Sequence, residues 1–271
     1  GNPVAWQTKI ACPSILALHF PERIKNGVDQ HAVDAFVDLP YAIPNVEIQY
    51  AMQQSHVPVG FWRAVGHSQN AFFRECFVDE LAHAAGRDPY AFRRALLQKH
   101  PKELALLDAV AKAAGWGTPP PGVYRGIAVQ DAYDGYTAAV VEASVTDAGA
   151  LEIKRVIVAA DPGYVVNPDS ATAQVEGCVV FGLTAALYGE ITLKNGRVEQ
   201  ASFTDYPMMR LKEMPQVEVL LMPSGGTWGG MGQATLAPVA PALCNAIFAA
   251  TGKRIRSLPL KHHDLIPFRP R

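Results

Sequence analysis

Three short stretches of this chain carry residue types that could do chemistry. The first is Gly60-Phe-Trp-Arg-Ala-Val-Gly-His-Ser-Gln69. Two glycines bracket Phe61, Trp62 and the cation Arg63, just ahead of a helical pattern. A backbone of this kind can approach a ligand closely under an aromatic roof. The same residues also read as a core-covering loop with an ion-paired arginine. The second stretch runs from Val165 through Asn167-Pro168 to Gln174-Val-Glu176-Gly177. Gln174 and Glu176 fall in the first turns of a helix, where an amide can donate to an anion or accept from a protonated ring. Ordinary helix decoration is the alternative, since glutamate is favoured in a first turn. The third is Gly229-Gly-Met-Gly232-Gln233, followed by the helical run Pro241–Gly252. A glycine-dense loop there delivers a polar side chain, and the free N–H groups of a helix N-terminus favour an anionic ligand. Gln233 is a neutral amide, too poor a proton acceptor for general-base work. It can still hydrogen-bond a metal-held oxygen or a ring nitrogen. A tight turn is the plain alternative for this loop.

Positioning these stretches falls to a mixture of helices and strands. Pro40 and Pro44 exclude a helix between them, and Val46–Tyr50 alternates apolar and polar like a strand. Ser68 is placed to cap a helix over Gln69–Ala85, with Phe72, Cys76 and Leu81 near helical spacing and Gly86 as its left-handed stop. Asp88-Pro89 starts a second helix whose apolar face includes Phe92, Leu96 and Leu97, and Pro101 starts a third through Ala114, closed by Gly115. Gly117-Thr-Pro-Pro-Pro-Gly122 is stiff and marks the best internal boundary, between 1–116 and 123–271, as two interlocked parts or one cooperative unit. Beyond it, Tyr124–Gln130, Tyr136–Thr146 and Leu151–Ala159 read as strands, with a turn at Asp147–Gly149 and another at Asp161–Gly163. A long helix follows over Ala171–Leu187. Glu190–Lys194 and Arg197–Ala201 flank the hairpin signal Asn195-Gly196, and Val217–Met222 is a last strand. Helices and antiparallel hairpins are segregated, so the expected class is α+β.

Composition narrows the function classes. The 271 residues are 49% hydrophobic and 18% charged, a folded chain with a substantial core. A formal net charge of -1 gives no basic excess for nucleic acid and no basic amphipathic segment for a membrane surface. The longest nearly apolar runs, Cys178–Tyr188 and Ala237–Ala250, are short for a bilayer, so no membrane span is expected. No secretory leader is read in the residues that follow Gly1, and bacterial periplasm and cytoplasm are both open expectations. The four cysteines lie far apart without a C-x-x-C pair, and read as buried free thiols; the eight histidines show no metal spacing.

The three stretches, in this order and with this helical block between them, resemble the molybdenum hydroxylases, the xanthine dehydrogenase and aldehyde oxidase family. The resemblance covers essentially the whole chain. It is strongest to the molybdopterin-bearing large subunit of isoquinoline 1-oxidoreductase-like enzymes and related bacterial aldehyde dehydrogenases, through Tyr41–Asn45, Gly60–Leu97, Gly182–Pro207 and Ala240–Leu260. It implies the C-terminal molybdopterin-binding portion of that subunit. It also implies a molybdopterin cytosine dinucleotide cofactor with molybdenum. Further implied are the remainder of the large subunit, a [2Fe–2S] small subunit, in some members a cytochrome c subunit, and a small-molecule substrate. The reaction implied is oxidation of an N-heterocycle or aldehyde with water-derived oxygen. By the same resemblance Trp62 and Arg63 hold backbone positions beside the oxygen ligands on molybdenum, Gln174 is a cofactor-side hydrogen bonder, Gly232 belongs to the cofactor loop, and Gln233 stands in the catalytic position. In the family that position is a glutamate that acts as base, and here it is an amide. The family's Gly-Gln-Gly and Gly-Gly-Phe-Gly cofactor loops have no match in this sequence. The chain alone is therefore expected to hold the cofactor poorly. The rival expectation is a non-catalytic assembly or binding module that keeps the fold and has lost the base.

Overall fold

A computed structural model describes residues 1–268. The elements in order are β1 (Trp6–Cys12), α1 (Ile15–His19), α2 (Gln30–Val33), β2 (Val46–Met52), α3 (Gly66–Ala84), α4 (Pro89–Leu96), α5 (Pro101–Ala114), β3 (Tyr124–Ala132), β4 (Gly135–Val145), β5 (Leu151–Asp161), α6 (Pro168–Leu187), β6 (Leu193–Lys194), β7 (Arg197–Val198), β8 (Gln216–Leu221) and α7 (Val239–Thr251). The class is α+β.

The centre is a four-stranded sheet in the order β3-β4-β5-β8. Side chains alternate between its faces, and the two cores separate by parity. Ala128, Ala139, Val141, Val156, Val158 and Ala160 face α6 and α7, where they meet Val175, Val179, Leu243 and Ile247. Ile127, Val129, Ala138, Val140, Ile157 and Ala159 face the other way, onto Phe92, Leu106, Leu107, Val110 and Trp6. Both faces are covered, which is why the strands read as unbroken apolar runs such as Val156–Ala160. The second cluster draws on both sides of the Gly117–Gly122 connection, so one core is shared across it.

Most helices obey their sequence signals. Asp88 accepts from Ala91 N and caps α4, Asn167 accepts from Ser170 N and caps α6, and Gly115 closes α5 in the left-handed region. Ser68 does not cap α3. The helix starts two residues earlier at Gly66, and the Ser68 hydroxyl donates back to the Val65 carbonyl at 2.7 Å. Helix α6 likewise begins at Pro168, ahead of the expected Ala171, because Pro at the first position needs no N–H partner. The Asn195-Gly196 hairpin forms but pairs only two residues on each side. Two pairings depart from the antiparallel expectation. Strand β8 runs parallel to β5, and β1, unseen in the sequence, pairs in parallel with β2. The spans Pro168–Leu187 and Ala234–Thr251 reach the length and hydropathy of a membrane helix, at mean hydropathy 1.3 and 1.5. The second is apolar because it is core, packed on β3, β4 and α3.

A buried ion network ties α3 to α4 and the sheet. Glu75 accepts from Arg74 Nε at 3.1 Å, from Arg93 Nε at 3.0 Å and from Tyr41 Oη at 2.9 Å. Arg74 Nη2 reaches the Val129 carbonyl at 2.8 Å, and Arg74, Glu75 and Arg93 are all fully buried. Burial, then the Glu75 charge, pushes the Tyr41 phenol well above its usual range. This network anchors the middle of α3, and α3 starts at the Trp62–Arg63 loop.

Candidate cofactor site

The three stretches singled out in the sequence meet. Arg63 is the hub. Its Nε donates to the Gly232 carbonyl at 2.6 Å and its Nη2 donates to Gln174 Oε1 at 3.0 Å. The guanidinium carbon lies 5.6 Å from the centre of the Phe181 ring, and Trp62 stacks on that ring at 5.1 Å and 27°. The arginine is thus held by a carbonyl, an amide and an aromatic face, and among the described residues it forms no ion pair. Gln233 joins through its amide oxygen, which accepts from the Ala64 N–H at 3.0 Å.

The loop between Trp62 and Gly66 is strained to make this contact. Ala64 has φ 70° and Val65 φ 44°, and positive φ is rare for a β-branched residue. Such residues cost roughly 1–3 kcal/mol each and cluster at binding sites. The strain places the buried Ala64 N–H on Gln233.

The glycines of the third stretch serve two purposes. A Cβ on Gly229 would lie 2.1 Å from the Asp134 carbonyl oxygen, so this glycine lets the loop seat against the β3–β4 turn rather than against a ligand. A Cβ on Gly232 would come within 3.2 Å of Gln174 Oε1 and 3.9 Å of Arg63 Nη2, inside the amide–guanidinium cluster itself. The helix does not start at the end of this loop. A short 3-10 turn, Ala234–Leu236, intervenes before α7, and its residues are buried, so the expected free helix end is not presented beside Gln233.

Three contributors escaped the sequence reading. Two of them, Cys178 and Phe181, share a face of α6 with Gln174 at spacings of four and seven residues, a signal that helical periodicity carries. The Cys178 thiol donates to the Gly232 carbonyl at 3.3 Å, and burial pushes its pKa up despite Thr235 and Arg63 nearby. The third is Ala64, a backbone donor that no side-chain pattern reveals.

The hydrogen-bond directions decide what the site can bind. Gln174 has its oxygen engaged by Arg63, and Gln233 has its oxygen engaged by Ala64. Among the described residues neither amide NH2 has a hydrogen-bond partner, and both amides stand near a guanidinium. With each amide oxygen already accepting one bond, the free capacity of the cluster is mostly N–H, which suits an anionic, oxygen-rich group. Among the described residues no group of three or more His, Cys, Asp or Glu side chains is placed to hold a metal ion. A metal at this place has to arrive with most of its own ligands.

Trp62, Gln174 and Gln233 are exposed, so the cluster faces outward. An apolar hollow of about 420 Å³ borders it at Trp62, with Phe72, Phe73, Leu236 and Leu258. A polar hollow of about 700 Å³, lined by His31, Asp34, His67, Asp131 and Tyr133 among others, includes none of the cluster's residues. His67 Nδ1 is hydrogen-bonded to the Gln130 amide at 3.0 Å, and burial holds the histidine pKa below its usual value.

Comparison with known proteins shows the family. Two models, each described as a molybdopterin cofactor-binding domain, match residues 25–97 and 94–215. The chain belongs to the molybdopterin cofactor-binding family of molybdenum hydroxylase large subunits. It is 31% identical over 266 residues to the beta subunit of isoquinoline 1-oxidoreductase of Brevundimonas diminuta, covering 95% of this chain and 34% of that relative. It is 29% identical over 241 residues to a subunit of the nicotinate dehydrogenase of Pseudomonas putida, covering 82% of this chain and 20% of that relative. The chain therefore spans about a third or less of the length of these relatives. The aldehyde oxidoreductase of Desulfovibrio gigas shares the fold at a TM-score of 0.70 with 14% identity, over 97% of this chain and 47% of that one.

Proposed function

We propose that this chain is part of a molybdenum hydroxylase that oxidises an N-heterocycle or an aldehyde with water-derived oxygen. The observation that carries the reading is the donor cluster: Arg63, Gln174 and Gln233 converge around Gly232 with both amide oxygens already engaged. The residues fit a molybdopterin group, because its oxygens are acceptors and the cluster offers donors. When bound, that group supplies the two-electron redox chemistry and the oxygen to be transferred. The protein's share is to bind and orient it. Arg63 and the unpaired NH2 groups of Gln174 and Gln233 would hold its acceptor oxygens, Trp62 and Phe181 would wall one side against water, and the backbone at 62–64 would set the distance. In the same reading the cofactor is the cytosine dinucleotide form. The partners are the remainder of a large subunit, a [2Fe–2S] subunit and, in some assemblies, a cytochrome c.

A second reading is favoured by one observation. Gln233 is a neutral amide whose oxygen already accepts from Ala64, and it is too weak a base to take up a substrate proton. A module that keeps the fold for assembly, without turnover, fits that orientation. Metal and pterin analysis of the complex purified from its own cells separates the two. Stoichiometric molybdenum, with oxidation of an aldehyde or N-heterocycle panel, is the expected result. Persistent absence of molybdenum from the intact complex overturns the enzyme reading and leaves the module.

A further inference from the structure

Asp161 ends β5, and β8 runs parallel beside it, with Ala160 opposite Leu221. Two chain segments therefore leave the sheet together. One passes through 162–167 into α6 and carries Gln174. The other passes through 222–233 and carries Gly232 and Gln233. The Asp161 carboxylate, only 3% exposed, touches both. Its Oδ1 accepts from Gly163 N at 2.9 Å and from Ser224 N at 3.0 Å, and its Oδ2 accepts from Ser224 Oγ at 2.6 Å. Lys102 Nζ of α5 stands 4.0 Å from Oδ2. More ties follow along the two segments. Gly225 N donates to the Gly163 carbonyl at 2.7 Å, Gly229 N to the Pro162 carbonyl at 2.8 Å, and Tyr164 stacks on Trp228 at 4.8 Å.

We propose that Asp161 is a positioning residue whose carboxylate locks the 162–167 and 222–233 segments to each other, so that Gln174 and Gln233 meet Arg63 in one arrangement. A residue that merely closed its own turn would bond Gly163 and stop there. Asp161 instead takes two of its three hydrogen bonds from Ser224, 63 residues away. Only a carboxylate offers acceptors on both oxygens, which three donors from two segments require. Burial pulls its pKa up, but the bonds from Ser224 and Gly163, with Lys102, outweigh this and hold it below its ordinary value. The carboxylate is ionised at neutral pH, where charge-assisted bonds are strongest. The catalytic consequence rests on the functional reading above; the locking does not.

Hydrogen exchange of the 15N-labelled full chain tests this, read at the Arg63 Nε–H and the Ala64 N–H. Both protons are bonded to the second segment and lie away from Asp161. Asp161→Ala is expected to speed their exchange about tenfold or more, the scale of a lost charge-assisted bond, with Val140 and Val141 amides in β4 unchanged. Asp161→Asn, which keeps one acceptor oxygen, is expected to recover part of the protection. Faster exchange at Gly163 and Ser224 alone, with Arg63 and Ala64 as in the parent, overturns the proposal. If Asp161→Ala does not fold, Ser224→Ala decides by the same two protons: faster exchange supports the lock and unchanged exchange overturns it. In the assembled complex Asp161→Asn is expected to lower kcat with little change in KM. Loosened segments with full turnover would leave the lock standing and count against the roles of Gln174 and Gln233.

Discussion

Replacing Gln233 by glutamate isolates the one atom in which this site departs from a base. Gln233 Oε1 accepts from Ala64 N at 3.0 Å, and Ala64 is fully buried. In Gln233→Glu one carboxylate oxygen keeps that bond, now charge-assisted. The other takes the place of the NH2 group and turns a donor into a proton acceptor. General-base catalysis is typically worth about 10²–10⁴-fold. The Ala64 bond stabilises the ionised carboxylate and so lowers its basicity. The expected gain therefore sits at or below the low end, at least about tenfold, or about 1.4 kcal/mol in the barrier. Gln233→Ala is the control: it strands the Ala64 N–H, at a cost of about 1–3 kcal/mol and a fall of several degrees in Tm. The assay is single-turnover reduction of the assembled complex by a panel of aldehydes and N-heterocycles. A fast parent complex, with the glutamate variant unchanged or slower, would mean that the proton goes elsewhere and that the role given to Gln233 is wrong.

Three other outcomes are expected. Arg63→Lys loses the two-point bridge to Gly232 and Gln174, and should cost about 1–3 kcal/mol in urea unfolding while lowering molybdenum occupancy of the complex. Glu75→Ala leaves Arg74 and Arg93 buried without their shared carboxylate and should cost about 3–5 kcal/mol; a change under about 1 kcal/mol would mean that water enters the network. For pH, burial lowers the His67 pKa, opposed by Asp34 and Asp131 and helped by Arg74 and His31. The unfolded chain then binds more protons than the folded one, so this contribution is present above about pH 6.5 and is lost as pH falls through the folded value. Tm measured between pH 7.5 and 5 should decline, and His67→Gln should flatten that decline.

What the sequence revealed and what it hid divide along a physical line. Capping residues act locally, so Asp88 and Gly115 were readable and helices α4 and α5 start where their signals say, whereas the Asn167 cap of α6 went unread. The core strands were legible because Val and Ile runs bounded by turns leave few other structures. Parallel pairing was not legible: β8 joins β5 across 54 intervening residues, and β1 joins β2 with no local turn to signal it. In the site, Trp62, Arg63, Gln174, Gly232 and Gln233 were singled out as types and they do converge. The direction of each hydrogen bond was invisible, because it depends on a backbone N–H at Ala64 and a carbonyl at Gly232. The Ser68 cap failed for a related reason. A strained loop, rather than a side chain, sets the start of α3.

That strain has its return inside the fold. Ala64 and Val65 hold positive φ, at roughly 1–3 kcal/mol each. Against this, the Ala64 N–H donates to Gln233, the Ser68 N–H and hydroxyl both donate to the Val65 carbonyl, and Ala64 packs with Cys178 and Leu236. Neutral hydrogen bonds contribute about 0.5–1.5 kcal/mol each, so these contacts are of the same order as the strain without any ligand. Enzyme and module therefore share this loop, and the choice between them falls to the metal content of the intact complex. The carboxylate substitution at 233 addresses the separate matter of turnover.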